Sequence, residues 1–239
     1  MPSPEHWSAA LREATEADGV RVLECHQRSP QVVQLLLSTR PSVAPPEIVR
    51  SVKGRLQYLL RAGHPRAFRR NYRLESVGSA SCKVIEKYVE QQLGHHRMAD
   101  PRVQERIARW QINDARIDLS RIRYSAHGQF IYNLHPVLVH ADRWQYCGYE
   151  VMRRTHDMVL AVAAKKHLLL SKAGITADHL HLTIGCDVKI SPQDVALGFL
   201  NNLAYAHGMR PVYQFGYYVG TFGAYDLERS GNRSVGNAY

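Results

Sequence analysis

Slid by 147 residues, the second half of this 239-residue chain falls on the first. Leu35 meets Leu182, Pro45 meets Pro192, Leu56 meets Leu203 and Tyr58 meets Tyr205, with Val43 on Ile190, Glu47 on Asp194 and Val52 on Phe199, all without a gap. Removing two residues further on puts Tyr72 on Tyr217 and Gly78 on Gly223. Four identities in the 27 positions from Val32 to Tyr58 are few, but the order of expected elements matches as well. A diverged tandem repeat constrains the fold strongly, because both copies must offer a core the same apolar faces.

In the first copy, Val20 to Glu24 and Val32 to Leu37 read as strands. A helix opened by Pro45 follows, with Ile48, Val52, Leu56, Leu59 and Leu60 at helical spacing; proline is tolerated in a first turn. Asn71 to Val77 reads as a third strand. Ser81 to Leu93 is a short helix striped by Val84, Ile85, Val89 and Leu93. A helix over Pro4 to Ala17 precedes this copy, and one over Pro101 to Gln111 follows it. In the second copy, Arg121 to His140 predicts a hairpin or two strands and Tyr149 to Lys166 a helix. His167 to Leu170 and Asp178 to Ile184 predict strands, Pro192 opens a helix towards His207, and Val212 to Phe222 is an aromatic strand. From Ser230 onward the chain is a small-residue tail without a stripe. The copies are unequal: only the second has strands before its first helix, and only the first has a helix after its last strand. The expected parts are residues 1–98, a linker with a helix over 99–118, and residues 119–239.

Composition enters through charge. With 45% hydrophobic and 22% charged residues the chain is a folded protein, not a disordered tail, a collagen or a disulfide miniprotein. The longest purely apolar run, Met158 to Ala164, is too short to cross a bilayer, and the N-terminus does not read as a signal peptide. Cys25, Cys82, Cys147 and Cys186 lack metal or redox spacing, so the cytoplasm is the expected compartment. The net charge is +10, and the 27 residues from Ile48 to Leu74 contain no acid. That window carries Arg50, Lys53, Arg55, Arg61, Arg66, Arg69, Arg70 and Arg73, interleaved with Tyr58, Phe68 and Tyr72. Guanidinium forks suit phosphate oxygens, and aromatic rings can stack on bases. The bland alternative is a solvated basic face. The counterpart, Val195 to Tyr225, has only Arg210 as a basic residue, so polyanion binding should be lopsided towards the first copy.

The sharpest local pattern is Asp178-His179-Leu180-His181-Leu182 on an expected strand. Alternation puts His179 and His181 on one face, roughly 7 Å apart at Cα, where two imidazoles can grip one metal ion. Two surface histidines are the commoner explanation. The equivalent first-copy residues, Val32 and Gln34, cannot form such a pair. The helix unique to the first copy holds Tyr88 and Gln92, four apart and on one face; an edge tyrosine and a solvated glutamine are the bland reading there.

These residues, in this order, resemble the single-tyrosine HUH transposases of small insertion sequences (IS200-like) and their REP-associated relatives. The resemblance lies in HLHL at His179–Leu182, EIVRSVKGRLQYLLR at Glu47–Arg61, NYRLESVG at Asn71–Gly78 and IEKYVEQQ at Ile85–Gln92. It implies an α+β fold of two diverged ferredoxin-like (RRM-like) HUH domains, each an antiparallel sheet with helices on one face, fused as a pseudo-dimer. It also implies one composite site, with Tyr88 as nucleophile and His179, His181 and Gln92 holding a divalent ion, Mn²⁺ more comfortably than Mg²⁺. The expected activity is single-stranded DNA cleavage and strand transfer through a 5′-phosphotyrosine. The basic segment would bind the backbone beside a DNA hairpin, with the protein nucleoid-associated when bound and no membrane partner. Two rivals stand beside it. One is a catalytically silent DNA- or RNA-binding regulator; the other is an unrelated metal hydrolase drawing on His135 or His140.

Overall fold

The computed structural model describes residues 3–95, 98–210 and 212–224; the tail expected from Ser230 lies outside the described residues. Two compact units divide the described chain, one up to Tyr72 and one from Arg73 to Ala224.

The first unit contains α1 (Ser8–Glu16), β1 (Val20–Ser29), β2 (Val32–Thr39) and α2 (Pro45–Leu60). β1 and β2 pair antiparallel, Val20 opposite Thr39 and His26 opposite Gln34. Trp7, Leu11, Val22, Leu56 and Leu60 form its core, with Leu35, Leu37 and Phe68 packed around them. Trp7, Leu11, Val22, Leu35, Leu37, Leu56 and Leu60 lie in the segments that the sequence predicts as two helices and two strands, whereas Phe68, expected as a ring that could stack on bases, packs against this core. Pro45 starts α2, and the Glu47 carboxylate accepts from the Ala44 N–H at 3.0 Å, satisfying a donor the helix itself cannot.

The second unit contains, in order, β3 (Tyr72–Glu75, of which Tyr72 belongs to the first unit), α3 (Cys82–Glu90), α4 (Gln92–His95), α5 (Pro101–Ala108), β4 (Ile112–Asn113), β5 (Arg123–Tyr124), β6 (Gly128–Ile131), β7 (Asn133–His140), α6 (Tyr149–Lys165), β8 (Leu169–Ile175), β9 (His179–Gly185), α7 (Pro192–Ala206) and β10 (Tyr213–Thr221). Its main sheet runs β10-β7-β9-β8-β4, with antiparallel neighbours throughout. The run β7-α6-β8-β9-α7-β10 is the ferredoxin-like βαββαβ order, with β4 added at one edge. α7 opens as α2 does: Pro192 stands in its first turn, and the Ser191 hydroxyl accepts from the Asp194 N–H at 3.1 Å and donates to the Asp194 carboxylate at 2.8 Å. The two aligned segments therefore share a helix start, proline followed by an acid, because each start has orphan N–H groups to satisfy.

Two expectations are corrected. The first copy does not build its own ferredoxin-like sheet: β1 and β2 form a two-stranded sheet, and β3 joins β6 and β5 in a separate three-stranded one. The copy lacks a strand before its first helix, so its third strand finds a partner elsewhere. The boundary between the compact units falls after Tyr72, and residues 73–95 fold with the histidine strand. Finally, helices do not cover one face only. Leu180, Leu182 and Ile184 share a core with Val159 of α6 and with Phe199 and Leu203 of α7, while α3 packs against β8 and β9 on the histidine side. A strand alternating leucine with histidine has one face for an apolar core and one for something else.

Residues aligned by the repeat meet directly inside the second unit. The Gly78 N–H donates to the Gly223 carbonyl at 3.1 Å, and the Gly223 N–H donates to Ala80 at 3.1 Å. Gly223 has φ +146°, and a Cβ at Gly78 or Gly223 would strike the opposing backbone. Ser76 fixes the crossing, its hydroxyl donating to Phe222 at 3.0 Å and accepting from the Asn133 N–H at 2.9 Å.

Candidate active site

β9 carries His179 and His181 into the interior, 5% and 7% exposed, with ring centroids 4.8 Å apart and perpendicular. Asp178, the residue before the pair, holds His179 from behind: its carboxylate lies 2.6 Å from Nδ1, and the Thr176 hydroxyl lies 3.0 Å from the same nitrogen. Burial pushes the Asp178 carboxyl up, but the His179 hydrogen bond, the neighbouring imidazole and Thr176 outweigh it and keep it below its usual range. Asp178 is therefore an anion that can accept a hydrogen bond from Nδ1–H, with Nε2 of His179 pointing the other way.

Opposite that nitrogen stands Gln92. Its Oε1 lies 3.4 Å from His179 Nε2, and the side chain is 1% exposed; the bland reading of a solvated glutamine does not hold. Tyr88, one turn earlier, is 44% exposed and sets its ring edge-on to His181 with centroids 5.6 Å apart. All four residues singled out in the sequence thus come together in one unit.

What seats Tyr88 and Gln92 on the strands is a group the sequence reading missed. Gly174 of β8 lies directly opposite His181 in the sheet. A Cβ there would stand 2.8 Å from the Val89 carbonyl and 3.3 Å from the Gln92 side chain, so glycine is what lets the helix end approach. Lys172 and Asn113 pin the same helix. Lys172 Nζ donates to Asn113 at 2.6 Å and pairs with Glu90 at 3.4 Å, and Asn113 donates to Glu90 at 2.9 Å. A glycine in a strand pattern is the usual trace of a close backbone approach.

The histidines named for the metal-hydrolase rival part company. His135 of β7 faces the site, its Nε2 2.9 Å from His181 Nδ1 and its ring stacked on His181 at 5.1 Å. Burial pushes His135 down to about 4. His140 sits on the opposite face of β7, packed at 4.7 Å on Tyr213. Among the described residues no cluster of three His, Cys, Asp or Glu side chains could hold a metal ion, so an ion held here would need the amide oxygen of Gln92 as its third donor. The donor set is of a suitable kind, two imidazoles and an amide oxygen, with His179 Nε2 and Gln92 Oε1 3.4 Å apart.

In the first unit the repeat places Val32 and Gln34 where the second copy has its histidines. Val32 is exposed, and Gln34 accepts from Arg28 Nε at 2.7 Å. The basic segment is less uniform than its sequence. Lys53 is spent on the chain itself, donating to the carbonyls of Arg69, Arg70 (3.1 Å) and Asn71 (3.3 Å). Arg55 pairs with Asp18 at 3.2 Å, Arg61 lies 3.5 Å over the Tyr58 ring, and Arg73 pairs with Glu75. Arg50, Arg66, Arg69 and Arg70 are exposed, with no ion pair found among the described residues. Arg50, Arg55 and Tyr58 line a groove of about 880 Å³ with Asp18, Glu47 and Ser51. No helix among the described residues is long and apolar enough to cross a membrane.

Residues 4–92 match the family model described as "Transposase IS200 like", a span that ends on Gln92 and includes Tyr88. Over this segment, somewhat more than a third of its length, the chain is similar to IS200-like transposases. Two solved structures are similar to part of it. The "putative transposase" of Deinococcus radiodurans R1 is 18% identical over 41% of this chain and 82% of that one, with a TM-score of 0.33. A REP-associated tyrosine transposase bound to a REP hairpin is 9% identical over 39% of this chain and 57% of that one, with a TM-score of 0.34. No curated protein matches the chain. The IS200-like match supplies the tyrosine helix and leaves β9 and its histidines outside it.

Proposed function

We propose that this chain, whose residues 4–92 resemble IS200-like transposases, is a transposase-type single-strand DNA nuclease and strand transferase with Tyr88 as nucleophile, and that one chain is a fused pseudo-dimer with one composite site. The observation that carries the reading is the meeting of Tyr88 and Gln92, from the first repeat copy, with His179 and His181, from the second, in one cluster. The hydrogen bond between Gly78 and Gly223, aligned positions of the two copies, supports the reading by joining segments of both copies within the second unit.

In the proposed reaction the Tyr88 oxygen forms a bond to the phosphorus of the scissile phosphate and its phenolic proton leaves. The bond from phosphorus to the 3′ oxygen breaks, and that oxygen takes a proton to become a free 3′-hydroxyl. The 5′ side stays on the enzyme as a phosphotyrosine. A phenol, with a pKa of about 10, is a better leaving group than a sugar hydroxyl, so a second 3′-hydroxyl can displace it and join the strand elsewhere. His179, His181 and Gln92 would hold the divalent ion, Mn²⁺ or Mg²⁺, whose chemistry is to neutralise charge on the non-bridging phosphate oxygens. Asp178 and Thr176 orient His179 for that task, and Gly174 and Lys172 set the tyrosine at its distance. Arg50, Arg66, Arg69 and Arg70 would contact single-stranded DNA beside a hairpin, with Tyr58 available to stack.

The test is Tyr88→Phe with a labelled single strand and a denaturing gel. The variant should form no covalent adduct and no nick while still binding DNA. Nicking at the wild-type rate would refute the assignment. Because all four residues lie in one unit, mixing Tyr88→Phe chains with His179→Ala chains should restore little activity; full restoration would argue for assembly between chains. A silent regulator gives neither nick nor adduct in the wild type, and a metal hydrolase nicks without an adduct.

A further inference from the structure

The geometry points to His135 as a positioning residue that fixes the tautomer of His181, a role that rests on the metal-site reading above. His135 Nε2 and His181 Nδ1 face each other at 2.9 Å. Of two neutral imidazoles in such a contact one donates and the other accepts. If His135 donated, the His181 proton would sit on Nε2, the nitrogen His181 has to offer an ion, and the site would be blocked. For His181 to serve as a ligand, its Nδ1–H must donate and His135 Nε2 must accept. This mirrors what Asp178 does for His179, so each histidine of the pair has its own acceptor behind it, a carboxylate for one and an imidazole for the other.

The sheet is built to hold His135 in that place. It lies on β7 directly opposite Gly220 of β10, as His181 on β9 lies directly opposite Gly174 of β8, so a glycine stands beside each ring. The Tyr218 side chain leans over Gly220, where a Cβ would collide with its ring, and that ring meets His135 edge-on at 6.2 Å. Tyr88 meets His135 edge-on from another direction, also at 6.2 Å. Stacked on His181 at 5.1 Å and edged by two tyrosines, the His135 ring has little freedom to turn away. His135 thus touches the nucleophile and a ligand while being neither.

The experiment uses the full chain and reads binding and tautomer separately from turnover. Long-range ¹H–¹⁵N NMR on the metal-free protein should show His181 protonated at Nδ1 and bare at Nε2. Titration with Mn²⁺ alone, followed by calorimetry, should show His135→Phe weakening binding by about 10- to 100-fold, the usual effect of losing such a partner. His135→Gln, whose amide oxygen can also accept from Nδ1–H, should stay within about threefold of the wild type. A wild-type His181 protonated at Nε2 overturns the proposal, whatever the variants do. So does wild-type Mn²⁺ affinity in a folded His135→Phe, or equal losses in the Phe and Gln variants. A wild-type protein that binds no Mn²⁺ at all would instead defeat the metal-site reading on which the role rests.

Discussion

Gly174→Ala is the smallest change expected to separate the tyrosine from the histidines. The new Cβ would lie 2.8 Å from the Val89 carbonyl and 3.3 Å from the Gln92 side chain, where ordinary contact begins at 3.4 Å. The carbonyl belongs to helix backbone and cannot rotate aside, so the helix end must retreat by about 0.6 Å. Overpacking of this kind costs about 1–3 kcal/mol. Alanine in a strand recovers about 0.5–1 kcal/mol relative to glycine. The clash wins, leaving a net loss of roughly 1 kcal/mol. The larger effect is on rate. A misplacement of about 1 Å costs on the order of 100-fold, so about 0.6 Å should slow adduct formation roughly tenfold. DNA affinity should hold, because the exposed arginines proposed to bind it lie elsewhere in the chain. The assay is the time course of protein–DNA adduct on a denaturing gel beside a thermal melt. A wild-type adduct rate together with a raised Tm would refute the reasoning, because it would mean that the helix end does not rest on β8.

Other expectations follow from single contacts. Lys53→Met should cost about 1–2 kcal/mol in a melting experiment, since three carbonyls lose a charged donor, and should leave the salt dependence of DNA binding nearly unchanged. Arg69→Ala combined with Arg70→Ala should do the reverse, lowering the slope of log K against log salt for single strands by up to about 1.4 with little change in Tm. His207 is buried against the Thr155 hydroxyl at 3.1 Å, and burial, then Arg154 and His140, push it below its usual range. The folded protein then resists protonating it, so its contribution is full above the unfolded value of about 6.5 and is lost as pH falls through that value towards the folded one. Tm measured from about pH 7 to about pH 5 should fall less steeply in His207→Gln than in the wild type, and identical slopes would exclude this account.

The secondary structure was largely legible along the chain because it depends on neighbours in sequence. Apolar residues recurring at three and four positions place α2 over Pro45–Leu60 and α7 over Pro192–Ala206, and alternation places β9 over His179–Gly185. The same local logic put Tyr88 over Gln92 on one helix face and His179 beside His181 on one strand face. His135 resisted that logic: it lies 46 residues from its partner, and a lone histidine in a strand pattern does not say which neighbour it meets. Gly174 and Lys172 are invisible for the same reason, since their roles exist only once α3 lies across β8.

The sequence by itself determined the element order, the placing of Tyr88 with Gln92 on one helix face and of His179 with His181 on one strand face, and the richer charge of the first copy. Each of those is a property of residue type and spacing. The tertiary structure alone decided that Gln92 is buried against His179, that β3 leaves the first copy to pair with β6, and that Lys53, Arg55, Arg61 and Arg73 are engaged within the chain. It also decided which histidine backs His181. These are meetings between residues far apart in the chain, and they depend on how strands register and helices seat. A chain of residues states its local preferences in order, whereas the pairing of distant surfaces is settled only by the packing that buries them.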